Sequence, residues 1–455
     1  MSKNPENIYF LGIGGIGMSA LARYYNSMGF KVSGYDLSKT PLTEKLAKSG
    51  IEINYLDDVK AIPESVRLNS KTKIIVTPAI PEKNKQLNFF KSNGFRLTKR
   101  AEVLGEISKN YKTIAVAGTH GKTTTAAMVA HIMDNSHLGC MAFVGGIMSG
   151  YESNIILNNT SEWMVVEADE FDRSFLRLKP DLLGITSVDP DHMDIYSDST
   201  DLENAFKQLI KISNPVNKVV LNDSLSKELT SGNTTYGFKS NSDLRLKSIG
   251  NKNGYHQVLV AGLSDKDEIF NLAMPGLHNA QNALLAAKLC QQAGCTIDEI
   301  KDGLQSFKGV KRRFEYIYKS NETIYIDDYA HHPSEINALI SSVRDLYPNK
   351  KITGLFQPHL FSRTRDFADD FASSLSKLDT LYLLDIYPAR EEPISGIDAN
   401  YLIDKVQLNQ KSIVNKLNVM HLISGNKPEI LLTIGAGDIG QMVSAVKQAL
   451  TNKNE

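Results

Sequence analysis

Short apolar runs alternate with longer amphipathic stretches along nearly the whole chain, the pattern of β-α units feeding parallel sheets. IYFLG, TIAVAG, DLLGITSV, TIYIDD, KITGLFQP, TLYLLDIYP and EILLTIGAG read as buried strands. The alternation is interrupted twice. Near residue 106 the polar stretch KRAEVLGEISKNYK precedes the fresh strand TIAVAG. Near residue 312 a helical stretch from His278 to Phe307 ends in the charged, glycine-broken KGVKRRFE before TIYIDD. These breaks predict three domains, 1–106, 107–311 and 312–455, as expected for 455 residues when one core serves roughly 150. In the last domain the spacing predicts helices beginning near Pro333, Asp366, Ile397 and Asp438.

Charge narrows the classes of partner. Lysine plus arginine equals aspartate plus glutamate, 51 each, so no net field draws the chain to nucleic acid or to a membrane surface. Any phosphate recognition is therefore local. Cys140, Cys290 and Cys295 form no CxxC pair and read as reduced, packed thiols of a cytoplasmic protein. Tyr9–Ala22 has the apolar character of a signal-peptide core, but four glycines within six positions break it. Nowhere does an apolar run approach the roughly 20 residues of a spanning helix, so the chain is expected to be soluble.

The first chemistry-bearing motif follows IYFLG at once: Gly12-Ile13-Gly14-Gly15-Ile16-Gly17 is a complete GxGxxG, continued by MSALARYYNSMG and by KVSGYD ending at Asp36. Glycines let backbone N–H groups at a helix N-terminus approach a pyrophosphate, and an acidic residue about 20 positions on can hold ribose hydroxyls. Taken alone the unit suggests NAD, although any nucleotide diphosphate satisfies the same amides; a plain tight turn also explains the glycines.

A second loop, Gly118-Thr119-His120-Gly121-Lys122-Thr123-Thr124, lies between TIAVAG and a helix rich in alanine and threonine. It departs from GxxxxGK[ST], since Val116 occupies the place of the first glycine, and reads as the shorter GxxGKT. Its amides can cradle phosphates, Lys122 can neutralise them, and the Thr123 hydroxyl can ligate magnesium, which implies ATP. About forty residues later, EWMVVEADE brings Glu167, Asp169 and Glu170 to the end of a strand, where parallel sheets bind ligands. DLLGITSV then ends in DPDHMD, bringing His192 to the same edge, either as a ligand or as a structural hydrogen bonder. The fold class expected is α/β in three domains: an N-terminal Rossmann-like domain, a central P-loop ATP-binding α/β domain and a C-terminal Rossmann-like α/β domain.

The ordered series GIGGIGMS, GTHGKTTT, VVEADEFDRSFL, DPDHMDIY, LHNAQN, GVKRRFE, DDYAHHP, FQPHLFSRTR and DIYPARE resembles the Mur ligases over essentially the whole chain. It is most similar to the members that join L-alanine to the lactoyl carboxylate of UDP-N-acetylmuramate, in cell-wall peptidoglycan synthesis, through an acyl phosphate formed from ATP. The resemblance implies that the first domain binds the UDP-sugar rather than NAD, through Gly12, Gly14, Gly15, Gly17 and Ser19, with Asp36 and Thr77 nearby. It implies that the loop from Gly118 to Thr124 holds ATP, with Thr123, Glu167 and His192 as magnesium ligands. Lys122, Glu167, His192 and Arg313 become the catalytic set. His278, Asn279 and Asn282 become adenine-side contacts, and Arg313, Asp327 and Tyr329 further contacts to the nucleotide. The resemblance assigns His331 and Arg363 to the amino acid, with a weaker claim at Arg365. It also implies that the third domain closes over both substrates about a hinge near Lys308–Arg312.

From the residues alone, the LHNAQN segment reads equally as a packed helix start and Arg313 as a surface charge. Two departures affect the site: Leu360 stands where some members carry arginine, and Thr77-Pro78-Ala79-Ile80 stands where serines are frequent. Three other readings compete: a ligase recycling a free tripeptide onto the same UDP-sugar, an NAD-dependent oxidoreductase resting on GxGxxG, and a P-loop switch. The expected oligomeric state is a monomer or weak dimer.

Overall fold

The structure, a computed structural model, describes residues 6–68, 71–189, 195–213, 218–252, 255–389 and 391–451. By its contacts the chain divides into two compact units, Met1–Leu272 with Gln281–Phe307, and Ala273–Ala280 with Lys308–Glu455.

The first unit holds two sheets. Strands β1 (Asn7–Leu11), β2 (Lys31–Tyr35), β3 (Glu52–Asn54), β4 (Thr72–Val76) and β5 (Leu97–Lys99) form a parallel sheet in the order β3-β2-β1-β4-β5. The direction of winding reverses at β1, the switch point at which such sheets bind ligands. β1 is buried at every position, as the apolar run Ile8–Leu11 requires, and Asn7 is buried with it.

The second sheet comprises, among the described residues, β6 (Lys112–Ala117), β7 (Met141–Met148), β8 (Ser153–Ile156), β9 (Trp163–Glu167), β10 (Leu182–Ile185), β11 (Val219–Asn222), β12 (Thr234–Gly237), β13 (Leu244–Lys252), β14 (Tyr255–Ala261) and β15 (Glu268–Leu272). Their order is β15-β14-β13-β12-β11-β10-β6-β9-β7-β8, parallel from β13 to β7 and antiparallel at both margins. Buried and half-buried positions alternate over Val258–Ala261 of β14, as in a sheet with one covered face, whereas β10 is buried throughout and β6 is buried after Lys112.

One core runs through both sheets of this unit: Ile8, Phe10, Leu21 and Tyr24 belong to the same apolar cluster as Phe143, Met164, Val166 and Ile185. The helix Ile16–Ser27 also meets β8 through polar contacts, Arg23 Nη1 donating to Ser153 Oγ at 2.9 Å and the Asn154 amide donating to the Ile16 carbonyl.

In the second unit, β16 (Glu315–Lys319), β17 (Ile324–Asp328), β18 (Ile352–Phe356), β19 (Thr380–Leu383), β20 (Lys411–Ile413) and β21 (Ile430–Ile434) are ordered β16-β17-β21-β18-β19-β20. All pairs are parallel except β16–β17. The helix Pro333–Leu346 starts where the spacing placed it, with proline in its first turn and a His332–Glu335 capping box. The helix expected near Asp366 is two shorter ones, Phe361–Asp366 and Ala368–Leu375, and the one expected near Ile397 is Ala399–Ile403. Edge strands β16 and β20 were not expected from the apolar pattern, because neither carries a buried run.

Among the described residues no helix is long and apolar enough to cross a membrane.

Candidate functional site

The glycine loop after β1 is shaped by contacts from the two strands beside it. Gly12 takes φ +86°, and a Cβ there would lie 2.5 Å from Thr77 Cγ2. This explains both the glycine and the nearness of Thr77, at the end of β4. Asp36, at the end of β2, accepts the Gly14 N–H at 2.7 Å, so its carboxylate braces the loop from within. Ser19 is fully buried, donates to the Ile16 carbonyl at 2.8 Å and lies 3.4 Å from the Asn154 amide nitrogen. Its side chain thus faces inward from the helix, toward Asn154 of β8.

Beyond β6 the second loop lies between the carboxyl ends of β9 and β10, its neighbours in the sheet. Gly121 caps the helix Lys122–Asp134 in the left-handed region, φ +77°, and a Cβ there would lie 2.7 Å from Asn282 Oδ1. Thr123 Oγ1 donates to Glu167 Oε1 at 3.0 Å, and Gly145 N–H donates to Glu167 Oε2 at 2.8 Å. The Thr123 hydroxyl and Glu167 carboxylate are adjacent hard oxygens, a donor set that suits magnesium. His192 lies outside the described residues.

Lys122 is held by a partner that the motif does not reveal. Its ammonium is 2.8 Å from the carboxylate of fully buried Glu170 and donates to Thr119 O at 3.1 Å. Burial alone would lower the Lys122 pKa, but the carboxylates of Glu170, Asp169 and Glu167 together outweigh it and the net shift is upward. The lysine therefore stays charged.

The loop following β10 also braces the second glycine loop. Ser187 Oγ accepts the His120 N–H at 3.0 Å and shares a hydrogen bond with Thr119 Oγ1 at 2.9 Å. Asp189 N–H donates to Thr119 Oγ1 at 2.9 Å, and its carboxylate is 3.7 Å from His120 Nε2. Sequence reasoning did not find Ser187, whose only signal is its position at a strand end.

Residues of the second unit form a further polar group. Asp327, fully buried in β17, pairs with Arg312 Nε at 2.9 Å and accepts from Thr433. The ion-pair partner of Asp327 is thus Arg312, the neighbour of Arg313. Arg313 lies 5.0 Å from the Tyr329 ring centroid and 3.7 Å from Glu335. Glu335 also accepts the backbone N–H of His331 at 2.9 Å, so one carboxylate serves both residues.

Arg363 is buried, 3.4 Å from His359 Nδ1, and His331 and His359 stand edge-on at 6.1 Å. Arg365 is exposed and paired with its neighbour Asp366. Leu360 is buried with φ +72°, so the departure noted at this position turns an apolar side chain inward. His278 is half-buried, and loss of hydration pushes it down to about 4 against the opposing field of Glu335. Asn279 is buried, its amide bonded to the Pro275 carbonyl. Burial raises Asp328 to about 6, although Arg313 and the N–H groups of Phe314 and Ala330 oppose the shift.

Comparison with known proteins supplies the lineage. Residues 7–112 match the family described as Mur ligase family, catalytic domain; residues 116–290 match the Mur ligase middle domain; residues 312–437 match the Mur ligase, glutamate ligase domain. The chain is 44% identical to a UDP-N-acetylmuramate–L-alanine ligase of Christiangramia forsetii over 98% of both chains. It is 45% identical to the same-named protein of Flavobacterium psychrophilum, over 98% of this chain and 99% of that one. Among solved structures, the UDP-N-acetylmuramate–alanine ligase of Thermotoga maritima superposes with a TM-score of 0.83 at 28% identity, covering 97% of this chain and 98% of that one. A murein peptide ligase of Psychrobacter arcticus shares the fold, with a TM-score of 0.72 at 20% identity over 99% of this chain and all of that one. The chain belongs to the Mur ligase family and, within it, to the UDP-N-acetylmuramate–L-alanine ligases.

Proposed function

We propose that the protein joins L-alanine to the lactoyl carboxylate of UDP-N-acetylmuramate, consuming ATP with magnesium, in the peptidoglycan pathway of the cytoplasm. The observation that carries this reading is the full-length likeness to ligases of that name, at 44–45% identity. The convergence of Lys122, Thr123 and Glu167 at neighbouring strand ends supports the chemistry. The glycine loop of residues 12–17 and Thr77 receives the UDP-sugar, with Asp36 bracing the loop. Gly118–Thr124 and Asn282 receive ATP; Arg313 and Tyr329 are proposed as further nucleotide contacts, and His331 and Arg363 as the residues that recognise the amino acid. The divisions at 106 and 311 are proposed as the limits of these three roles.

The reaction has two steps. The lactoyl carboxylate attacks the γ-phosphate, giving an acyl phosphate and ADP; the neutral alanine amine then attacks the acyl carbon and phosphate leaves. Lys122, kept charged by Glu170 and its neighbours, neutralises the transferring phosphoryl group in a water-poor setting where charge stabilisation is strongest. Thr123 and Glu167, with His192, would hold magnesium, which supplies charge neutralisation across the phosphates when bound.

The test is phosphate release from ATP and magnesium in the presence of UDP-N-acetylmuramate, comparing L-alanine, the cell-wall tripeptide and no amine, with mass detection of product. Release dependent on L-alanine, with a product heavier by one alanyl residue, is expected. Dependence on the tripeptide would move the protein to the recycling ligases, and no release with either amine would refute the ligase reading.

A further inference from the structure

Within the first unit a cavity of about 140 Å³ opens between the helix that follows GxGxxG and the strand end that carries Glu167. Ile16, Leu21, Leu104 and Phe143 contribute apolar wall, and the charged side chains lining it are Glu167, Asp169 and Arg100. Arg100 opens the helix Arg100–Ser108, and its Nη2 lies 3.1 Å from Asp169 Oδ2. Both members of the pair keep about a third of their side-chain surface, 30% and 35%. A half-solvated pair of this kind holds its partners weakly.

Gly17 explains how the arginine comes to be there. A Cβ at Gly17 would stand 2.4 Å from Arg100 Nη1 and 3.0 Å from its Cδ. The last glycine of GxGxxG thus leaves the surface across which the Arg100 side chain lies, a different use from the close approach to a phosphate. On the other side Glu167 is fixed by Thr123 and Gly145. A ligand filling the cavity therefore meets apolar wall, the Glu167 and Asp169 carboxylates and the Arg100 guanidinium.

A carboxylate entering this space faces two negative side chains and needs a cation that can grip both oxygens. Arginine offers that fork, and Arg100 is the only cationic side chain among those lining the cavity. We propose that Arg100 exchanges Asp169 for the lactoyl carboxylate of the sugar nucleotide. It is then the residue that selects the lactoyl-bearing sugar over one that lacks the group, and it presents that carboxylate beside Glu167. This inference rests on the ligase reading above.

Calorimetric titration of the full-length protein with UDP-N-acetylmuramate and with UDP-N-acetylglucosamine, which has no lactoyl group, tests it. The wild type is expected to prefer the muramate compound. Arg100→Ala should weaken that compound by about tenfold to a hundredfold, the worth of one charge-assisted pair, and leave the glucosamine compound within about twofold. Arg100→Lys, which keeps an aliphatic stem over Gly17 but loses the fork, should recover only part of the preference. Asp169→Asn, which releases the arginine, should leave muramate binding unchanged or tighter. Equal weakening of both ligands in Arg100→Ala would make Arg100 a structural support, and an undiminished preference would overturn the proposal outright. If the wild type itself failed to distinguish the two nucleotides, the ligase reading would fall first, a result separable from both.

Discussion

The Lys122 ammonium sits 2.8 Å from Glu170, a carboxylate with no exposed side-chain surface, in the loop that should receive the phosphates. Breaking such a pair leaves an uncompensated buried charge, at about 3–5 kcal/mol. Glu170→Gln should therefore lower the melting temperature markedly. Polyphosphate can supply the missing counter-charge, so magnesium-ATP should raise the melting temperature of Glu170→Gln by more than it raises that of the wild type. Equal shifts in a thermal melt would show that Lys122 does not meet the phosphates.

Lys122→Ala removes the cation itself. Turnover should disappear while calorimetric affinity for UDP-N-acetylmuramate stays near the wild-type value, because the glycine loop of residues 12–17 is built from other strands. A near-normal rate of phosphate release in this variant would overturn the role given to Lys122.

Gly121 combines φ +77° with an Asn282 oxygen 2.7 Å from where a Cβ would lie. Gly121→Ala should cost about 1–2 kcal/mol from backbone conformation alone, with further loss from the contact. Adding Asn282→Ala should return only the contact component, so a denaturant series on both single variants and the double variant should show partial, not full, recovery.

Thr123→Val keeps the shape of the side chain and removes the hydroxyl that bonds Glu167. The magnesium concentration for half-maximal activity should rise by at least about tenfold, with little change in the melting temperature of the metal-free protein. An unchanged magnesium titration would remove Thr123 from the ligand set.

The pH dependence of stability carries a signature of His278. Its folded pKa of about 4 lies below the ordinary 6.5, so between those values the unfolded chain binds more protons. Stability from this group is complete above about 6.5 and is lost as pH falls toward 4, with a slope of up to about 1.4 kcal/mol per unit. His278→Gln should flatten that part of a denaturation-against-pH profile.

What could be read from residue order was local in origin. Both glycine loops and the strand-end carboxylates stand out because turn, helix start and ligand group fall within a few residues of one another. Thr296 and Glu299 form a capping box whose T-x-x-E pattern was present in the sequence, and with Gly294 at φ +114° it divides the expected single helical stretch into Leu277–Ala293 and Ile297–Ser306. Contacts between distant loops were not legible in the same way. Glu170 against Lys122, Ser187 against the second glycine loop and Arg312 against Asp327 each depend on which strands become neighbours. The burial of Ser19 depends on the face its helix turns to β8. The antiparallel margins β7–β8 and β13–β15 lie outside the alternating β-α pattern, so periodicity carried no warning of them.

The seam between the helix Ile16–Ser27 and β8 has a consequence for inheritance. Because Asn154 reaches the Ile16 carbonyl and one apolar cluster spans both sheets, the first hundred or so residues do not form a cassette that recombination can exchange between unrelated nucleotide binders. A transplanted copy would bring an exposed apolar face and an orphaned carbonyl at the start of its own binding helix. Lineages carrying this glycine loop are therefore tied to retaining the strand that follows it some 140 positions later, and the two are expected to diverge together.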